Sequence, residues 1–197
     1  MVAAARKRSF EELYQVIRDL PEGQRGEILT PGELHVTMGR PGKKHRRAAQ
    51  VLYVALRERD ANVGGSGWWI ELEPEVRFGE RLFDPDLAGW RVERLAEIPE
   101  ENPIAVVPDW CCEILSPSTA ANDVRIKLPN YIAAGVPHVW IIEPIAHLVQ
   151  VFGDHGGKPV LVATASDEEG ALIAPFDLAI DVRRLWTSEK PGVDGDR

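Results

Sequence analysis

Phe10, Leu13, Val16 and Ile17 recur at helical spacing just behind Ser9-Phe10-Glu11-Glu12, which has the form of a capping box. A helix is therefore predicted to about Leu20, with those four residues as its apolar face and Pro21-Glu22-Gly23 as its stop. Glu27-Ile28-Leu29, Pro31-Gly32 and then Leu34 to Thr37 read as a hairpin. A second helix is expected from about Lys44 to Arg59, with Ala48, Val51, Leu52 and Ala55 as one buried stripe. Short apolar runs at Trp68 to Leu72 and Asp86 to Val92 read as strands, and the stretch Ala96 to Pro103 as a surface loop.

The middle of the chain carries the clearest pattern. Trp110 to Leu115 is an apolar strand broken by one acid, Ser116-Pro117-Ser118 is a turn, and Asp123 to Ala134 is helix-like. Gly135 suits the end of that helix, and His138 to Ile142 is a further apolar strand. Strand, helix and strand at this spacing make a βαβ unit, whose crossover is expected to be right-handed. Leu148 to Phe152 and Val160 to Ala163 flank a turn at Gly156-Gly157. Ile180 to Trp186 is expected to form a last short helix, and 188–197 reads as a disordered tail. Residues 1–187 then make one domain of α/β (α+β) class, a mixed sheet with flanking helices and extra hairpins.

Composition changes the picture in three places. Twenty-three Lys and Arg against 31 Asp and Glu give a formal charge of −8, which argues against a surface that clings everywhere to nucleic acid. One basic run remains, Arg40, Lys43, Lys44, His45, Arg46 and Arg47, which is either a local phosphate-binding patch or a solvated helix start. The two cysteines, Cys111 and Cys112, are adjacent and point to opposite faces of a strand, so they read as buried apolar residues in a reducing compartment. No secretory signal and no apolar run long enough for a membrane helix is seen, so a cytoplasmic protein is expected. Gly64-Gly65-Ser66-Gly67 lacks the Gly-Lys-Ser/Thr ending of a phosphate loop and reads as a turn.

Glu113 is the acid that interrupts the strand Trp110 to Leu115. A strand leading into a crossover helix is buried on both faces, so its carboxylate must either pair with an Arg or Lys or ligate a metal. Asp86 begins a neighbouring strand; if the two strands pair, the two carboxylates converge about 5 Å apart, as hard oxygen ligands suited to Mg²⁺ or Mn²⁺. Asp109 is a worse partner, about 13 Å from Glu113 along the same strand. Asp84 is a weaker substitute for Asp86. Lys127, on the following helix, is either an ordinary exposed lysine or a group that orients the attacking water and steadies the phosphate. Tyr131 shares its helix face. Pro129 belongs in a first helical turn, which puts the helix start near Leu128 and Lys127 at its mouth.

The run Pro108-Asp109-Trp110-Cys111-Cys112-Glu113-Ile114-Leu115-Ser116-Pro117-Ser118-Thr119, followed by Asp123, Lys127, Tyr131 and Gly135-Val136-Pro137-His138-Val139-Trp140-Ile141-Ile142-Glu143-Pro144, closely resembles the Uma family of restriction endonucleases. That family is part of the PD-(D/E)XK nuclease superfamily. The similarity extends more weakly to the Gly26–Leu34 hairpin, to His45 and to Pro85-Asp86. The resemblance implies a restriction-endonuclease-like fold and Mg²⁺-dependent cleavage of DNA, with Asp86 as the first acid and Glu113 as the second. The lysine usual two residues after the second acid is replaced here by Leu115, and Lys127 would take its place. Glu27 resembles an extra acid near the metal. The leading expectation is a metal-dependent DNA endonuclease, and cutting both strands would suit a homodimer. The others are a catalytically inactive nuclease-fold module that binds nucleic acid or protein, and a phosphodiesterase with a different substrate.

Overall fold

Ser9 caps the first helix, α1 (Phe10–Arg18): its hydroxyl accepts from the Glu12 amide at 3.2 Å while the Glu12 carboxylate accepts from the Ser9 amide at 2.8 Å. The structure, a computed structural model, describes residues 6–38, 41–168, 170–172 and 174–186. Phe10, Leu13 and Ile17 are buried, but Val16 is exposed. The expected four-residue face is therefore three, because three- and four-residue steps from Phe10 reach Leu13 and Ile17 and leave Val16 well round the helix.

Helix α1 lies against β1 (Gln24–Thr30), which pairs antiparallel with β2 (Glu33–Met38) as the predicted hairpin. Gly26 permits the contact, since a Cβ there would lie 2.6 Å from Ile17 Cγ1. Helix α2 (Lys43–Leu56) buries Ala48, Leu52 and Leu56, with Val51 and Ala55 at the margin of the stripe. It stops three residues before the predicted Arg59, in a 3₁₀ turn at Arg57–Arg59. A turn at Gly64–Gly67 then leads to β3 (Trp68–Leu72).

A second hairpin, β4 (Val76–Phe78) and β5 (Arg81–Phe83), joins the first through Ile28 opposite Leu82, making a four-stranded sheet in the order β2-β1-β5-β4. These strands are too short for the alternation test to detect. Strand β6 (Leu87–Arg91) is antiparallel to β3 and to β7 (Trp110–Ile114), and β7 is parallel to β8 (His138–Glu143). With β9 (Leu148–Asp154) and β10 (Pro159–Ala165) they form a six-stranded sheet, β10-β9-β8-β7-β6-β3. The sheet is mixed, with one parallel pair.

Between β7 and β8 the chain is helical from Ala120 to Ala133, in three pieces. Helix α3 (Ala120–Asn122) runs into a π segment (Asp123–Lys127) and then α4 (Leu128–Ala133), with Pro129 in the first turn of α4. The start at Leu128 was legible. The helical stretch from Asp123 was legible as well, though not its extension back to Ala120, and Lys127 sits inside a continuous helical run rather than at the mouth of one that starts at Leu128. A proline has no N–H to donate to the carbonyl four residues back and its ring crowds that carbonyl, and a widened turn just upstream is one way to accommodate it. Gly135, at φ +97°, ends the run.

The two faces of the six-stranded sheet are covered separately. Helix α2 packs Ala48, Leu52 and Leu56 against Trp110, Cys112 and Ile114, while α4 packs Leu128, Tyr131 and Ile132 against Ala88, Cys111, Val139 and Ile141. Both cysteines are buried and free. The expected last short helix is a 3₁₀ helix at Val182–Leu185, but Ile180–Asp181, expected to begin it, form strand β12, which pairs with β11 (Ala171–Leu172). Arg40 of the basic run and the expected tail at 188–197 lie outside the described residues. Among the described residues, no helix is long and apolar enough to cross a membrane.

Candidate active site

Every residue of β7 is buried, so its register dictates where the acid goes. Trp110, Cys112 and Ile114 face α2, which leaves Glu113 on the opposite face, under the helical run that follows. Four residues apart on that run, Asp123, Lys127 and Tyr131 share one side of it. Tyr131 donates its hydroxyl to Glu113 Oε1 at 2.5 Å, and Lys127 Nζ lies 3.3 Å from the same oxygen. Asp123 Oδ1 lies 3.4 Å from Lys127 Nζ.

The two hairpins bring in the other acids. Glu27, on β1, places Oε1 2.9 Å from Lys127 Nζ. The same oxygen accepts the backbone N–H of Asp84 at 3.0 Å. Asp84 sits between β5 and β6, its carbonyl 3.4 Å from Lys127 Nζ and its Oδ1 buried with no hydrogen-bond partner. The ammonium is 5% exposed and Glu113 is 2% exposed, so this is a buried cluster rather than a surface ion pair. Of the two readings of Lys127, the ordinary exposed helix lysine does not hold.

Asp86 lies just before β6, which pairs with β7 as the two-carboxylate reading required: Leu87 is opposite Cys112 and Ala88 opposite Cys111. Its Oδ2 accepts the backbone N–H of Ile114, the residue after Glu113, at 2.6 Å. Its Oδ1 lies 3.0 Å from His45 Nε2, on α2. Asp86 thus stands at the end of the sheet, with His45 of α2 on one carboxylate oxygen and the β7 backbone on the other. Asp109 is elsewhere, at the far end of β7, where it accepts the Arg91 amide at 2.8 Å and pairs with Arg94 at 3.0 Å.

Electrostatics follow from burial. Burial by itself would lower the Lys127 ammonium, but Glu113, Glu27 and Asp123 outweigh it and hold the pKa well above the ordinary lysine value. Burial, then the neighbouring Glu27 carboxylate, pushes the Asp84 carboxyl up to about 8. Burial and Glu113 keep the Tyr131 phenol protonated far into the alkaline range, so it stays a donor. At the other face burial works to lower the His45 imidazole, but Asp86 more than offsets this and raises it.

Five acidic side chains, Glu27, Asp84, Asp86, Glu113 and Asp123, therefore stand near Lys127 and His45. Among the described residues, no three His, Cys, Asp or Glu side chains are arranged to enclose a metal ion; the acids Glu27, Glu113 and Asp123 converge on Lys127 instead. Of the residues picked out from sequence, Glu113, Lys127 and Glu27 are in direct contact, and Asp86 touches them through the Ile114 amide. Asp123, Tyr131 and His45 had been noted without these contacts. A signal for the first two was present, since both lie four residues from Lys127 on a helix.

The model of the family Uma2, described as "Putative restriction endonuclease", matches residues 10–183. The chain belongs to the Uma2 family. Among solved structures, a "putative nuclease belonging to DUF820" from Anabaena variabilis ATCC 29413 is similar at 21% identity with a TM-score of 0.64, over 91% of this chain and 97% of that one. That likeness establishes a shared fold, the restriction-endonuclease-like one that the mixed sheet and its few helices present. No curated protein matches the chain.

Proposed function

We propose that this Uma2 protein is a Mg²⁺- or Mn²⁺-dependent endonuclease that hydrolyses DNA phosphodiester bonds, with Asp86, Glu113 and Glu27 as metal ligands and Lys127 assisting. The observation that carries the reading is the convergence of Glu27, Glu113 and Asp123 on one buried lysine, with Asp84 and Asp86 beside it. Such an excess of buried negative charge is costly by itself, and a divalent cation offsets it. The donors suit that ion in chemistry, since all are hard carboxylate oxygens and one buried oxygen of Asp84 lacks a partner. Among the described residues, however, no three of them enclose one point, so taking up the ion would require the acids to turn from Lys127. When bound, the ion supplies Lewis acidity and a water of lowered pKa.

The chain's own residues supply the rest. Lys127, held charged by its acids, offers a fixed positive centre for the developing charge on a phosphate. Tyr131 fixes the Glu113 carboxylate by donating to it, and the Ile114 amide and His45 do the same for Asp86. A homodimer would supply the two sites needed to cut both strands.

The test is plasmid nicking by the purified protein with Mg²⁺ or Mn²⁺. Cleavage by the wild type and none by Glu113→Ala is expected. Cleavage undiminished in Glu113→Ala overturns the mechanism, and no cleavage by a folded wild type leaves the inactive binding module as the better reading.

A further inference from the structure

An open cleft of about 330 Å³ lies beside the acid cluster, between α2 and the end of β3. Pro41, Ala49 and Leu72 give it aliphatic walls, Arg46 stands at its edge, and His45 and Asp86 close its inner end. Asp86 is thus a wall of the cleft and, through the Ile114 amide, a neighbour of Glu113. Arg46 lines the cleft, and Lys43, also exposed, precedes it on the first turn of α2.

The opposite flank has the other sign. Past Leu72 and Glu73, which line both, the cleft gives way to a groove of about 430 Å³ that carries Glu71, Glu73, Glu75 and Glu100. Glu73 is paired with Arg25, Glu75 accepts from Tyr14 and Glu71 from Asn62, and four carboxyl groups in one groove make the surface acidic, in line with the whole-chain charge of −8.

We infer that the site takes an unpaired polynucleotide strand, its backbone on Lys43 and Arg46 and one base in the cleft beside Asp86. The inference rests on the nuclease reading and narrows its substrate. A base inside a duplex is stacked on both faces and shows only its edges, so it cannot fill a cleft with aliphatic walls. An unpaired base offers its apolar faces to such walls, and adjacent cations track its phosphates. A continuous duplex laid over the cleft would bring its second strand toward the acidic groove, where like charges oppose it.

The experiment is fluorescence anisotropy with the full-length wild type in EDTA, which separates binding from cleavage. The probes are a fluorescein-labelled single-stranded DNA, the RNA of the same sequence, and the annealed DNA duplex. One or other single strand is expected to bind about tenfold or more tighter than the duplex, the size of effect that unpairing a base carries. Gln50→Glu adds a carboxylate to the cleft at an exposed, isosteric position, and is expected to remove that advantage with an unchanged thermal midpoint. Duplex binding equal to or tighter than both single strands, no binding of any probe, or an unaltered preference in Gln50→Glu overturns the inference. Duplex preference together with nicking that Glu113→Ala abolishes sinks this inference and leaves the nuclease reading standing. Single-strand preference without any cleavage does the reverse.

Discussion

Lys127 Nζ lies 2.9 Å from Glu27 Oε1, a contact that ties the first hairpin to the helical run after β7. With Glu113 and Asp123 on the same ammonium, the lysine is the common partner of acids from three separate elements. Lys127→Met removes the charge and keeps much of the volume, leaving those acids buried without their cation. A loss of about 3–5 kcal/mol is expected in urea unfolding, as for other buried pairs broken on one side. A loss below about 1 kcal/mol, the range of surface pairs, would show that the cluster is solvated.

Asp84 makes stability depend on pH. Its folded pKa of about 8 lies above the ordinary value of 3.8, so the folded protein holds a proton there that the unfolded chain gives up. The resulting stability is complete below the unfolded pKa and is lost as pH rises through the folded one. In EDTA, the urea midpoint of the wild type is expected to fall between about pH 4 and 8 more steeply than that of Asp84→Asn. Parallel curves for the two proteins would contradict the assignment.

Divalent cations should stabilise the fold if the acids take one up. At Mg²⁺ a hundredfold above its dissociation constant, about 2.7 kcal/mol is expected, visible as a raised thermal midpoint that EDTA reverses. Glu113→Gln is expected to lose most of that shift. A midpoint indifferent to Mg²⁺ and Mn²⁺ in the wild type would count against metal binding here.

Tyr131 donates to Glu113 from a fully buried position. Tyr131→Phe deletes the donor and little else, so Glu113 keeps only its contacts with Lys127. The expected cost is about 1–3 kcal/mol, that of a buried acceptor left short of a partner. Nicking should fall in the same variant if the tyrosine also orients the carboxylate. Unchanged stability would mean that water replaces the hydroxyl.

Much of this architecture could be read directly. The capping box of α1, the hairpin of β1 and β2, and the unit from β7 to β8 all show as patterns, because period and punctuation are local properties. Glu113 stood out for the same reason, as one acid in a run otherwise wholly apolar. The strands β4 and β5 escaped because three residues carry no usable period, and with them went the means by which Asp84 reaches Glu27. The π segment escaped because its hydrogen-bond register leaves no compositional trace.

What the chain determined by itself was therefore the set of chemical groups and the elements that bear them. Glu113 had to be buried, Lys127 and Tyr131 had to share a helix side, and Asp86 had to stand at the start of a strand. Only the tertiary structure decided who meets whom: Glu27 with Lys127, Asp86 with His45 and the Ile114 amide, and Asp84 with no partner for one oxygen. Those meetings depend on how two sheets dock and where a helix crosses them. Burial of apolar faces sets that docking, and the position of a lone carboxylate in the sequence carries no record of it.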